Sequence, residues 1–194
     1  DVGFKIYSTC ASAQTIVQGM QQLRARGLSA SNLQLLEIRL GKIAISNVGW
    51  PYKPADVVAA QMNASYAAAV TLLDGDASVE QFSEERLSDP AILDLAGRIS
   101  FQLDTDIEKG GLNLRHASRL IAKTQEGIIL ETYNAQRQGG PGNEIPPERI
   151  QLKFRKLASP VVGVERAERI IELVTNLEIL PDLRELENHL RPPK

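Results

Sequence analysis

Residues 55–75, ADVVAAQMNASYAAAVTLLDG, read as one long helix at the centre of the chain. Alanine carries the smallest conformational cost in a helix. Met62, Tyr66, Val70 and Leu73 recur at the three- and four-residue spacing that lines one helical face. The helix starts at about Ala55 or Asp56, and Asp74-Gly75-Asp76 ends it. Before it, Asn47–Pro54 is a loop by its glycine and proline content. Further upstream, Leu36, Ile38 and Leu40 alternate with Glu37 and Arg39 and predict a half-buried strand. Ile43-Ala44-Ile45 continues that strand or forms the next. An earlier helix runs from Ala11 to about Arg26, with Ile16, Met20 and Leu23 on one face, Ser8 and Thr9 as caps and Gly27 as its stop. Phe4–Tyr7 is a short strand or an extended lead-in.

Downstream of residue 75, short helices are expected at Ser83–Leu87 and from Pro90 to about Gly97. Ile99, Phe101 and Leu103 alternate as a strand, and Thr105–His116 is polar and glycine-containing, hence a loop. Arg119–Thr124 and Ile128–Tyr133 flank Gln125-Glu126-Gly127 as a hairpin. A loop at Gln138–Asn143 precedes three helices, about Pro147–Leu157, Val164–Leu177 and Asp182–Leu190. No regular alternation of strand and helix runs through the chain. The pattern predicts an α+β fold: an antiparallel sheet with helices packed on it in two layers, closed by C-terminal helices.

Bulk properties narrow the function. The chain has 194 residues, suited to one domain, and a formal net charge of -2. No basic field exists to hold a phosphate backbone, so nucleic acid is not an expected partner. Nor is a membrane, for want of a long apolar run. The single cysteine, Cys10, excludes an internal disulfide framework, and a reducing cytoplasm is the default location. The chain opens on Asp1-Val2-Gly3-Phe4 rather than on methionine, which suggests a domain cut from a longer protein.

The run from Ala60 to Gly75 resembles a hallmark helix of the MmgE/PrpD family, which includes 2-methylcitrate dehydratase, and Phe82, Glu85, Leu87, Asp89-Pro90 and Arg98-Ile99 continue the pattern. Phe4-Lys5-Ile6-Tyr7, followed by a helix, is similar to the segment that opens the family's small domain. Gly139-Gly140-Pro141-Gly142-Asn143 and Lys153-Phe154 resemble its later loop and helix. The resemblance implies that residues 1–194 form the single small α+β domain of such a protein. The large helical domain that precedes it in the family is absent from this chain, and the active site would lie between the two. The full protein would then be a lyase of dehydratase or decarboxylase type, using no metal or organic cofactor, acting on a small di- or tricarboxylate such as 2-methylcitrate. The isolated domain is expected to be inactive. Its partners would be the polycarboxylate substrate, the family's large domain and a second copy in a homo-dimer. Isomerase or epimerase chemistry within the same family, or a non-catalytic binding domain, are the alternatives.

Lys5 stands just ahead of a helix whose first N–H groups are free, an arrangement suited to anions. The resemblance points to Lys5 as a residue that binds a substrate carboxylate or stabilises an intermediate, and to Tyr66 as a hydroxyl lining the same cleft, so these two are the expected catalytic residues. Ser8 and Thr9 add hydroxyl donors. The family commonly places a histidine within the first turns after the lysine, but none occurs between Lys5 and Met20; Gln14 or Ala13 holds the matching position, and Gln14 is taken as a further substrate contact. A basic family residue in between is also replaced, with Ala11 the nearest match. An amide hydrogen-bonds but does not exchange a proton near neutral pH. This departure motivates the binding-domain alternative. His116 and His189 lack metal-ligand spacing and read as surface residues.

Overall fold

A computed structural model describes residues 3–140 and 142–191; Asp1, Val2, Pro141 and residues 192–194 lie outside the described residues. The chain divides into two compact units, residues 1–144 and 145–194. In the first, the regular elements are α1 (Gln14–Ala25), β1 (Leu33–Leu40), α2 (Lys42–Val48), α3 (Val57–Met62), α4 (Ala64–Asp74), α5 (Pro90–Gly97), β2 (Ile99–Leu103), α6 (Thr105–Lys109), β3 (Ser118–Thr124) and β4 (Ile129–Asn134). The α+β class holds.

The four strands form one sheet in the order β2-β1-β3-β4. β3 pairs antiparallel with β1, matching Leu36 with Ala122 and Ile38 with Leu120. The expected hairpin joins β3 to β4, and Gly127 supplies the positive φ (82°) that its turn requires. β2, however, runs parallel to β1, with Leu36 opposite Ile99. The sheet is therefore mixed, which corrects the antiparallel expectation at one edge. A parallel neighbour needs a crossover connection, and residues 41–98, carrying α2 to α5, provide one.

Ile43-Ala44-Ile45 is helical rather than extended. α2 starts at Lys42, whose N–H donates to Glu108 Oε2 at 2.8 Å. That distant carboxylate satisfies one of the open donors of the first turn. The helix expected over 56–73 is broken at Asn63, where the backbone is extended (φ −101°, ψ 123°). The Asn63 side chain restarts it: Oδ1 accepts from Tyr66 N at 2.9 Å, while Nδ2 donates to Trp50 O at 2.8 Å. α4 is buried from Ala64 through Leu72 and forms the centre of the core. α1 lies on β3 and β4. It approaches closely because Gly19 has no side chain: a Cβ there would stand 2.9 Å from both Leu120 Cδ2 and Thr132 Oγ1.

The second unit contains the three expected helices, α7 (Pro147–Val162), α8 (Val164–Thr175) and α9 (Arg184–Leu190). Gly163, at φ 85°, joins α7 to α8, and Arg155 grips Glu168 through two bonds of 2.6 and 2.9 Å. Arg169 pairs with both Glu172 and Glu185. Among the described residues no helix is long and apolar enough to cross a membrane.

Candidate functional site

The segment from Lys5 to Gln14 has no regular structure until a 3-10 turn at Ala11–Ala13 leads into α1. It is nevertheless held firmly. Gln14 is 1% exposed and braces the chain that precedes it. Its Nε2 donates to Thr9 Oγ1 (2.8 Å), Tyr7 O (3.0 Å) and Thr9 O (3.3 Å), and its Oε1 accepts from Tyr7 N at 3.2 Å. Ser8 N donates to Ala77 O and Cys10 N to Gln61 O, tying the segment to the loop after α4 and to the end of α3. Thr9 is buried with Gln14, whereas Lys5 is exposed and Ser8 partly so. The four expected residues of this stretch thus divide by position. Lys5 and Ser8 reach the surface, and Thr9 and Gln14 are spent on shaping it. Cys10, partly exposed, caps the 3-10 turn.

Tyr66 lies in the core. Its ring is fully buried against Tyr52 (4.8 Å between centroids) and Phe82 (5.4 Å). Its hydroxyl donates to Gln81 O at 2.7 Å. Burial, reinforced by Tyr52, drives its pKa well above the ordinary phenol range. Tyr52 in turn donates to Leu87 O at 2.9 Å, so the aromatic group pins the loop before α3 and the turns after α4 to the core.

A histidine does stand at the start of α1, supplied from far along the chain. His116 Nδ1 is 3.2 Å from Ser12 Oγ, and the His116 carbonyl accepts from Thr15 Oγ1 at 2.6 Å. The segment that delivers it is not an open loop but α6 and a following 3-10 turn, Gly111–Leu114. Asp104 organises this segment. It caps α6 through Asp106 N (3.0 Å) and Ile107 N (3.1 Å) and accepts from Arg119 Nε of β3 at 2.9 Å. Burial alone would raise the Asp104 pKa, but these bonds outweigh it and hold the carboxyl below its usual range. His116 is half-buried rather than a surface residue. Burial, followed by repulsion from Arg115, Arg137 and Lys5, draws its pKa down to about 4.

Opposite His116 runs the loop after β4. Phe4 N donates to Gly139 O at 2.9 Å, and Gly139 N to Asn143 O at 2.7 Å. Gly3 permits this approach, since a Cβ on it would fall 2.4 Å from Gly139 O. Between the two walls opens a cavity of about 290 Å³ lined by Arg115, His116, Gln136 and Arg137, among others. The α+β unit thus brings Lys5, Ser12, Arg115, His116 and Arg137 together near the start of α1.

Comparison with known proteins agrees in kind. The MmgE/PrpD C-terminal domain profile matches residues 7–179, and the chain belongs to that family. It is similar to the cis-aconitate decarboxylase of Aspergillus terreus, 28% identical over 99% of this chain and 41% of the relative. It is similar also to the cis-aconitate decarboxylase-like protein oryM of Aspergillus oryzae, 28% identical over 80% of this chain and 32% of the relative. The human cis-aconitate decarboxylase is 24% identical over 100% of this chain and 40% of the relative. The chain thus spans about two fifths of the length of the cis-aconitate decarboxylases it matches.

Proposed function

We propose that this chain is the small α+β domain of a cofactor-independent lyase that acts on a small di- or tricarboxylate, with Lys5 as its principal contact to the substrate. Family membership and relatives named as decarboxylases of a tricarboxylate support the reading. The observation that carries it is the exposed Lys5 on a segment whose backbone is fixed by the buried Gln14 amide. In dehydration, a base removes a proton beside a carboxylate and hydroxide leaves with a proton as water. In decarboxylation, a carbon–carbon bond breaks to release carbon dioxide, and the electron pair left behind is later protonated. Both routes build negative charge next to a carboxylate, and a fixed ammonium stabilises it.

Ser8 adds a hydroxyl donor at the same surface, and Thr9 and Gln14 are positioning residues. Tyr66 is assigned a positioning role too, through the aromatic anchor that holds the loops behind the segment. A second domain, of the large helical type, would supply the groups that move protons, and the protein would work as a dimer in the cytoplasm. The test is turnover by the full-length protein offered cis-aconitate and 2-methylcitrate separately, followed by proton NMR. Consumption of either supports the reading, and inertness toward both and toward other di- and tricarboxylates overturns it. The 194-residue chain alone should turn over neither.

A further inference from the structure

We propose that the cavity between Arg115–His116 and Gln136–Arg137 is a subsite that binds a carboxylate group of a small polycarboxylate, distinct in its residues from the Lys5 contact. The ligand class rests on the lyase reading above; the anion preference rests on the cavity itself. At about 290 Å³ it is close to the lower end of ligand clefts, roughly 300 Å³. Two guanidinium groups line it and no carboxylate does. Among the described residues neither guanidinium has a hydrogen-bond or ion-pair partner. The structure's other arginine–acid pairs show that this chain satisfies such groups readily, as Arg119 does with Asp104 and Glu131. Planar forks of this kind match the two oxygens of a carboxylate.

His116 fits the same ligand. Half-buried, and then crowded by Arg115, Arg137 and Lys5, the ring is neutral near pH 7. Ser12 Oγ and Nδ1 are 3.2 Å apart, and the tautomer in which Ser12 donates puts the ring's proton on Nε2, a neutral donor for the ligand. The Gln136 amide adds a further donor to the lining. A bound carboxylate would relieve the repulsion between the cations, which the walls otherwise hold together. Those walls are fixed independently, one by the Asp104 cap and Thr15, the other by the backbone pairing of Phe4 with Gly139.

The chain contains two histidines, His116 and His189, so imidazole NMR resonances report the site directly, with His189→Gln giving the assignment. Tricarballylate, an unreactive tricarboxylate, is titrated into the 194-residue chain at neutral pH. The expected result is a saturable shift of the His116 resonance with His189 unmoved. Arg115→Gln and Arg137→Gln should each weaken binding about tenfold. Arg115→Lys and Arg137→Lys, which keep charge but lose the fork, should fall between. Circular dichroism confirms that each variant is folded. Saturable binding that survives both glutamine variants but is lost in Lys5→Ala overturns this subsite and leaves the Lys5 reading intact. Tight binding here, with no turnover of any polycarboxylate by the full-length protein, supports the subsite and overturns the lyase reading. Equal competition by sulfate overturns the carboxylate assignment, and so does an equal, non-saturating drift of both histidines.

Discussion

Replacing Tyr66 with phenylalanine separates an anchoring role from a chemical one. The ring is fully buried between Tyr52 and Phe82, so the phenylalanine ring fills nearly the same space and leaves no cavity. What is lost is the 2.7 Å bond from the hydroxyl to Gln81 O, whose carbonyl is then left without that donor. The cost is about 1–2 kcal/mol of stability. Tyr66→Ala also removes the ring and should cost about 3–5 kcal/mol. Urea unfolding followed by circular dichroism measures both, with the midpoint falling and the slope unchanged. In the full-length protein, Tyr66→Phe should leave kcat within a few-fold of the parent. A variant of unchanged stability whose turnover collapses would refute this reasoning and return the hydroxyl to the chemistry.

Three further outcomes follow from the geometry. Gln14→Ala removes the bonds that brace Tyr7 and Thr9, and should cost about 1–3 kcal/mol; hydrogen exchange should quicken at Tyr7 without quickening in β3. Thr132 Oγ1 is buried with no hydrogen-bond partner among the described residues, so Thr132→Val should raise stability by about 1 kcal/mol in the same urea assay. For His116 the folded pKa of about 4 lies below the ordinary 6.5, so between those values the unfolded chain binds the extra proton. Stability is therefore complete above pH 6.5 and is lost as pH falls toward 4. The full shift corresponds to ~3 kcal/mol, which solvent at the half-buried ring reduces to about 1–2 kcal/mol. His116→Gln should flatten that part of the stability profile.

Much of this architecture was legible in the residues. Alternation at Leu36, Ile38 and Leu40 located β1, Gly127 located the hairpin turn, and the alanine-rich run around Tyr66 located the central helix and carried the family resemblance. The misses share one physical cause, namely dependence on partners distant in sequence. Ile43-Ala44-Ile45 looks like strand because its apolar run is short, and it is helical where Gly41 stands at the N-cap after β1 and Glu108 takes up a donor of the first turn. The parallel β2 depends on a crossover, and no local pattern encodes that. Likewise, nothing local announced that His116 would meet Ser12 from more than a hundred residues away. The one available signal was its neighbour Arg115 in a polar stretch opened by a good N-cap, Asp104. The Gln14 amide, read as a substrate contact, turns inward to the backbone, which sequence spacing does not reveal.

The most direct test compares the full-length protein with its Lys5→Ala variant in steady-state turnover of cis-aconitate or 2-methylcitrate, whichever the parent consumes. The account predicts a kcat lowered by about 10²–10³ in the variant, the scale of a lost charge-stabilising group, with the fold retained. Turnover by Lys5→Ala at the parent rate would contradict it.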